Sequence, residues 1–165
     1  MGEKWWNGKV AAGIWTVLRV WLGVQWLQAG WGKVTGEFDA TGYLNGAIAK
    51  AGGEAPVVAG WYGTFLETVA LPNADIFNIL IPWGELFVGL GLIAGLLTMP
   101  ALIAGAFMNL NFLLAGTIST NPVLLAAAVI LLFAGYGAIR YGLDRWAAPA
   151  AKKKVTKRTL REAHA

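Results

Sequence analysis

The stretch ELFVGLGLIAGLLTMPALIAGAFMNLNFLLAGTISTNPVLLAAAVILLFAGYGAIR, residues 85–140, opens on Glu85, closes on Arg140 and carries no charge between them. At about 1.5 Å per helical residue, a run of this length crosses a ~30 Å hydrocarbon layer more than once. Met99-Pro100 divides it, because proline cannot donate to a helical ladder. The polar cluster Thr117, Ser119, Thr120, Asn121 and Pro122 marks a second turn. The stretch therefore reads as the end of one span, about 76–97, followed by spans over about 100–116 and 122–141. Upstream, residues 10–31 are apolar apart from Arg19 and supply the first span. The expected fold is an all-α membrane protein, a four-helix transmembrane bundle over residues 1–146 with a basic tail over 147–165.

Composition supports this and removes several classes of function. Hydrophobic residues make up 57% of the 165 and charged residues 13%, about half the charged share of a soluble domain. Four spans and one long loop use up the chain, so chemistry must take place in the bundle or in a partner. The chain has no cysteine, which excludes disulfides, thiolate metal ligands and iron–sulfur clusters on it. Its one histidine, His164, is penultimate and cannot provide a pair of haem ligands. No metal site is expected, and any electron transfer needs a borrowed redox group. Lys4 and Lys9 precede the first apolar segment as in a signal peptide, but its length, Arg19 and the lack of a small-residue cleavage site read as a retained span.

Eight basic residues follow span four, from Arg140 to Arg161, against Asp144 and Glu162. The loop 33–75 holds Lys33 and Lys50 against Glu37, Asp39, Glu54, Glu67 and Asp75. The positive-inside rule places both termini in the cytoplasm of a multi-pass cell-membrane protein. The tail reads as a topology signal that contacts anionic lipid rather than nucleic acid. Within the outer loop, Trp61, Tyr62, Phe65, Leu66 and Val69 have helical spacing and predict a short amphipathic helix on the outer face, able to cover the mouth of a pocket.

An ionisable group inside a span is a candidate functional residue. Arg19, Gly23, Trp26, Gly30 and Lys33 share one face of span one, and Asn78, Glu85, Gly89, Leu92 and Leu96 share one face of span two. Counted from Lys9 and from Asp75, Arg19 and Glu85 each lie roughly 15 Å into the layer and are expected to pair. Arg19 would attract an anionic or carbonyl-bearing ligand, and Glu85 would move the accompanying proton. A purely structural ion pair is the competing reading. Lys33 could draw an anion inward or snorkel to the interface. Asn109 and Asn111 point to opposite sides, so only one of them readily faces the cavity. Trp26 lies deep enough to line a pocket for a planar molecule, although packing explains it as well. The glycine run 89–95 superficially matches a dinucleotide fingerprint, but it lies in a span and reads as helix packing.

Three segments carry a family resemblance: Arg19-Val-Trp-Leu-Gly23 with Ala29-Gly30-Trp-Gly-Lys33; Glu85-Leu-Phe-Val-Gly89 through Gly95; and Asn111-Phe-Leu-Leu-Ala-Gly116 through Ser119-Thr-Asn-Pro122. Together they resemble the DoxX/DoxD family, and the loop stretches Trp61-Tyr62 to Phe65-Leu66 and Leu71-Pro72-Asn73-Ala74 are similar to its DoxD-like branch. The resemblance implies a membrane subunit of a thiosulfate:quinone oxidoreductase, working with a DoxA-like or other sulfur-handling partner and passing electrons to a quinone. On that reading Arg19 and Glu85 are the catalytic pair, and Lys33, Trp26, Asn78, Asn111 and Trp61 contact substrate or quinone. The rival expectation is a non-catalytic membrane scaffold, alone or as a homo-oligomer, with a structural buried ion pair.

Overall fold

The computed structural model describes residue 6 and residues 8–52 and 54–146, and every regular element among them is helical. The basic tail, His164 and Lys4 lie outside the described residues. Helix α1 (Lys9–Thr35) is followed by α2 (Ala40–Ala49) and α3 (Gly60–Phe65). A π-helical turn (Leu66–Ala70) and a 3-10 turn (Leu71–Asn73) carry α3 without a break into α4 (Ala74–Ala94). Helices α5 (Thr98–Leu114), α6 (Asn121–Ala134) and the single turn α7 (Tyr136–Ile139) follow. Two helical stretches are long and apolar enough to cross a membrane, Lys9–Thr35 and Gly60–Ala94, and α5 and α6 are shorter apolar helices.

The loop 33–75 differs from expectation. It is largely helical, with α2 as an additional element, and the segment around Trp61 continues the α4 axis instead of lying flat as a separate helix. Its helical spacing still sorts its faces, since Tyr62 and Leu66 are buried while Trp61, Phe65 and Val69 are exposed. Tyr62, Leu66, Ala70 and Ala74 join Ala40, Leu44, Ala47, Val58 and Ala115 in a small apolar core that caps the bundle.

Helices α1 and α4 pack antiparallel at backbone contact. A Cβ on Gly30 would stand 2.7 Å from Leu86 N and 2.9 Å from Pro82 O, and one on Gly89 would stand 2.6 Å from Leu27 N. These glycines remove the side-chain layer that otherwise holds two helices apart. The main core then gathers Leu22, Trp26, Leu92, Leu102, Ala128 and Leu131 from α1, α4, α5 and α6.

The break between α4 and α5 lies earlier than the expected one between spans two and three. Gly95 ends α4 with φ +65°, Leu97 follows at φ +53°, and Pro100 sits in the first turn of α5, where its missing N–H is one the helix would leave unpaired anyway. Helix α5 lacks a cap of its own. The Asp144 carboxylate caps it from the far end of the chain, accepting from Leu97 N at 2.7 Å and Thr98 N at 2.9 Å.

Candidate functional site

The expected meeting of Arg19 with Glu85 does not occur. Glu85 is 1% exposed and both its oxygens accept from Lys33 Nζ, at 2.7 and 3.0 Å. The mismatch lies in the axial register. Gly30 of α1 packs on Pro82, Glu85 and Leu86 of α4 and Gly23 on Gly89, so Glu85 reaches only the level of Gly30. Arg19 lies level with Gly95 instead, roughly 16 Å further along α1.

At that far end Arg19 is also 1% exposed. Its Nη2 donates to Tyr141 O at 2.9 Å, and the Cα atoms of Gly95 and Gly142 press against the guanidinium. Asp144, which caps α5, lies close enough to offset part of the charge. Arg19 thus ties α1 to the segment after α7. Its Nε and Nη1 have no hydrogen-bond partner among the described residues.

Around Lys33 and Glu85 the helices leave a cavity of about 250 Å³, lined by Gln25, Trp26 and Ala29 of α1, Phe38 and Tyr43 before and on α2, Phe112 of α5, and the turn from Thr117 to Asn121. Lys33 closes it over the carboxylate, with its side chain 28% exposed, while exposed Ser119 and Thr120 stand at the rim. Helix α2 is positioned here by two devices. Asp39 accepts from Thr41 N and Gly42 N, and Asn78 Oδ1 accepts from Ala40 N at 2.8 Å. The same N–H groups hold the Asp39 carboxyl below its usual range. Tyr43 then reaches Thr117, their hydroxyls 3.1 Å apart, and burial pushes its phenol up.

A second cavity of about 260 Å³ adjoins the first and shares Tyr43 and Phe112 with it. It is bounded by Tyr62, Phe65, Leu66, Phe77, Leu80, Ile81, Phe107, Met108 and Asn111 among others. The Tyr43 and Phe112 rings meet edge to face at 6.2 Å. Asn111 accepts from the Tyr62 hydroxyl at 3.0 Å and donates to Phe107 O at 2.8 Å.

Of the residues singled out from sequence, Glu85, Lys33 and Trp26 share the polar cavity and Asn111 borders the apolar one. Asn78 holds α2 in place, and Arg19 belongs to the opposite end. Trp61 lies edge-on to Tyr62 at 5.3 Å, 66% exposed and outside the linings of both cavities.

Sequence reasoning named Asn109 only as the alternative to Asn111 and Thr117 only as part of a turn, and it missed Tyr43 and Gln25. Asn109 is fully buried, one turn beyond Gly105, which packs on the Trp26 indole, and neither its amide nor the Trp26 Nε1 has a hydrogen-bond partner among the described residues. Its four-residue spacing from Gly105 was the available signal. Tyr43 lies on α2, where the 40, 44, 47 spacing marks the buried face but does not point to Tyr43 itself, and Thr117 lies in a turn with no helical period. Among the described residues, no three His, Cys, Asp or Glu side chains group to hold a metal ion.

The family model DoxX matches residues 14–119, a stretch that contains Lys33, Glu85 and both cavity walls on α1 to α5 but ends before Tyr141 and Asp144. No curated protein and no solved structure matches the chain. With the greater part of its length covered by that model, the chain belongs to the DoxX family, a membrane-associated family.

Proposed function

We propose that this protein is a four-span, DoxD-like membrane subunit of a quinone-linked oxidoreductase, and that the Lys33–Glu85 pair meets the quinone head. The observation that carries the reading is a fully buried carboxylate, held by one ammonium, on the wall of a polar cavity. Reducing a quinone to a quinol consumes two electrons and two protons. Lys33 would donate a hydrogen bond to a carbonyl oxygen in the cavity, and Glu85 would take up protons from water at the cavity rim and relay two of them, one per electron delivered by the partner, to the quinone oxygens. Trp26 and Phe112 supply flat apolar walls for the ring.

Lys33 is neutralised by Glu85, so the cavity suits a neutral carbonyl compound better than a dianion. A reduced sulfur compound such as thiosulfate would therefore deliver electrons through a DoxA-like or other sulfur-handling partner, not by occupying this cavity. The excess of basic residues after α7 supports cytoplasmic termini under the positive-inside rule, and on that orientation the cavity opens on the outer side.

Membranes carrying the protein and its partner should reduce a short-tailed quinone on addition of thiosulfate. Glu85→Gln should lower that rate by about a hundredfold or more while helix content and melting temperature stay near wild type. An unchanged rate would sink the reading. A second reading, a non-catalytic scaffold, draws on Arg19, which shows that this fold also uses a buried charge as a tie. It predicts that Glu85→Gln changes melting temperature and no rate.

A further inference from the structure

We infer that the polar cavity at Lys33–Glu85 and the apolar cavity beside it are two halves of one site for a lipid-soluble ligand, with a compact carbonyl or hydroxyl head in the first and a hydrocarbon tail in the second. The inference rests on the reading above for the head and adds the tail.

Size is the first argument. Small-molecule sites usually span roughly 300–1,000 Å³. At about 250 and 260 Å³, each cavity alone falls short of that range and the two together enter it. They share Tyr43 and Phe112, whose edge-to-face rings form the partition.

The second argument is the state of the polar groups. In the apolar cavity, the hydroxyls of Tyr43 and Tyr62 and the amide of Asn111 are all engaged within the protein. No strong donor or acceptor there is left to favour a polar group, so the cavity rewards hydrocarbon. The Lys33–Glu85 pair lies in the other half.

The third argument is access. Leu80 and Phe107, at the edge of the apolar cavity, are 59% and 65% exposed on the flanks of α4 and α5. Exposed lining residues on both α4 and α5 put this edge of the cavity on the side of the helices, where acyl chains would lie. The polar cavity opens instead among Ser119 and Thr120. A molecule partitioned in the bilayer can therefore enter sideways with its tail trailing, a route that suits a lipid quinone and does not suit a soluble anion.

The test uses the full-length protein in phospholipid nanodiscs and compares a tailless quinone with the same head bearing a ten-carbon tail. Wild type should bind the tailed probe at least tenfold more tightly after correction for partitioning into empty discs. Leu80→Trp, at the exposed edge of the apolar cavity, should remove most of that gain and change tailless binding less than twofold. Equal loss for both probes, or no gain from the tail, would overturn the two-cavity site while leaving the quinone reading intact.

A ten-carbon alcohol serves as a third probe. If it binds with the same Leu80→Trp sensitivity while neither quinone binds, the head-and-tail site stands and the quinone reading falls. If none of the three binds, both fall. Displacement of the tailed quinone by phosphatidylglycerol, with the same Leu80→Trp sensitivity, would overturn the compact neutral head and make the two cavities a phospholipid site.

Discussion

Glu85 and Arg19 are both 1% exposed, and they sit at opposite ends of the α1–α4 pair. At the loop end, α2 and the Thr117–Asn121 turn stand away from the helices, and the carboxylate faces a cavity beneath a half-buried lysine. At the other end, glycines at 95 and 142 bring backbone onto the guanidinium, and the segment after α7 folds over it. A buried charge therefore marks a candidate site here only where its neighbours leave room. Where glycine lets backbone close on the charge, the same chemistry becomes a fastening.

Substitutions at the closed end should have the largest effect. A Cβ at Gly95 would overlap the Arg19 guanidinium and Gly142 Cα, and its φ of +65° disfavours other residues. Gly95→Val should cost on the order of 3 kcal/mol, read as loss of the monodisperse peak and of cooperative melting in detergent. If Gly95→Val melts like wild type, the closed end is looser than described and the contrast fails.

Asp144→Ala comes next. It removes both bonds that cap α5 and the charge facing Arg19, and should cost about 1–2 kcal/mol in chemical denaturation. Quinone binding at the other end should not change, since Asp144 lines neither cavity. A matching loss of binding would show that the two ends are coupled.

Lys33→Met sharpens the comparison from the open end. It leaves Glu85 without its partner, yet the cavity lets the carboxyl take a proton, so the stability change should stay below that of Gly95→Val. Binding of a carbonyl head should still fall about tenfold, the loss of one charge-assisted hydrogen bond. Greater destabilisation than Gly95→Val would make this pair the tighter tie.

The smallest effect is a pH response confined to the loop end. Asp39 has a folded-state pKa held below its unfolded value, so its cap on α2 is present above the unfolded pKa and is lost as pH falls through the folded one. The protection factors of the Thr41 and Gly42 amides, exchange rates corrected for the intrinsic pH dependence, should fall at acid pH, and Asp39→Asn should flatten that response.

Much of this was legible in the sequence through periodicity. Arg19, Gly23, Trp26 and Gly30 were read as one face of a helix and are buried together in α1, and Glu85, Gly89 and Leu92 are likewise buried in α4. DoxX membership followed from segments within the same helices. The site itself was only partly legible. Glu85, Lys33 and Trp26 were named, but Tyr43 and Gln25 lie on helices off the faces singled out by spacing, and Thr117 was read only as part of a turn. Between the two asparagines, sequence favoured Asn111 for the ligand, while Asn109 is the one sealed in the bundle.

By itself the sequence determined the apolar helices and the direction each polar side chain faces, because a period of 3.6 residues fixes the angle around an axis. Tertiary structure alone decided the height at which those faces meet. That height is fixed where Gly23 and Gly30 of α1 meet the backbone of α4 and by the reversal at Gly95–Leu97, and it gives Glu85 to Lys33 and leaves Arg19 with Tyr141 and Asp144.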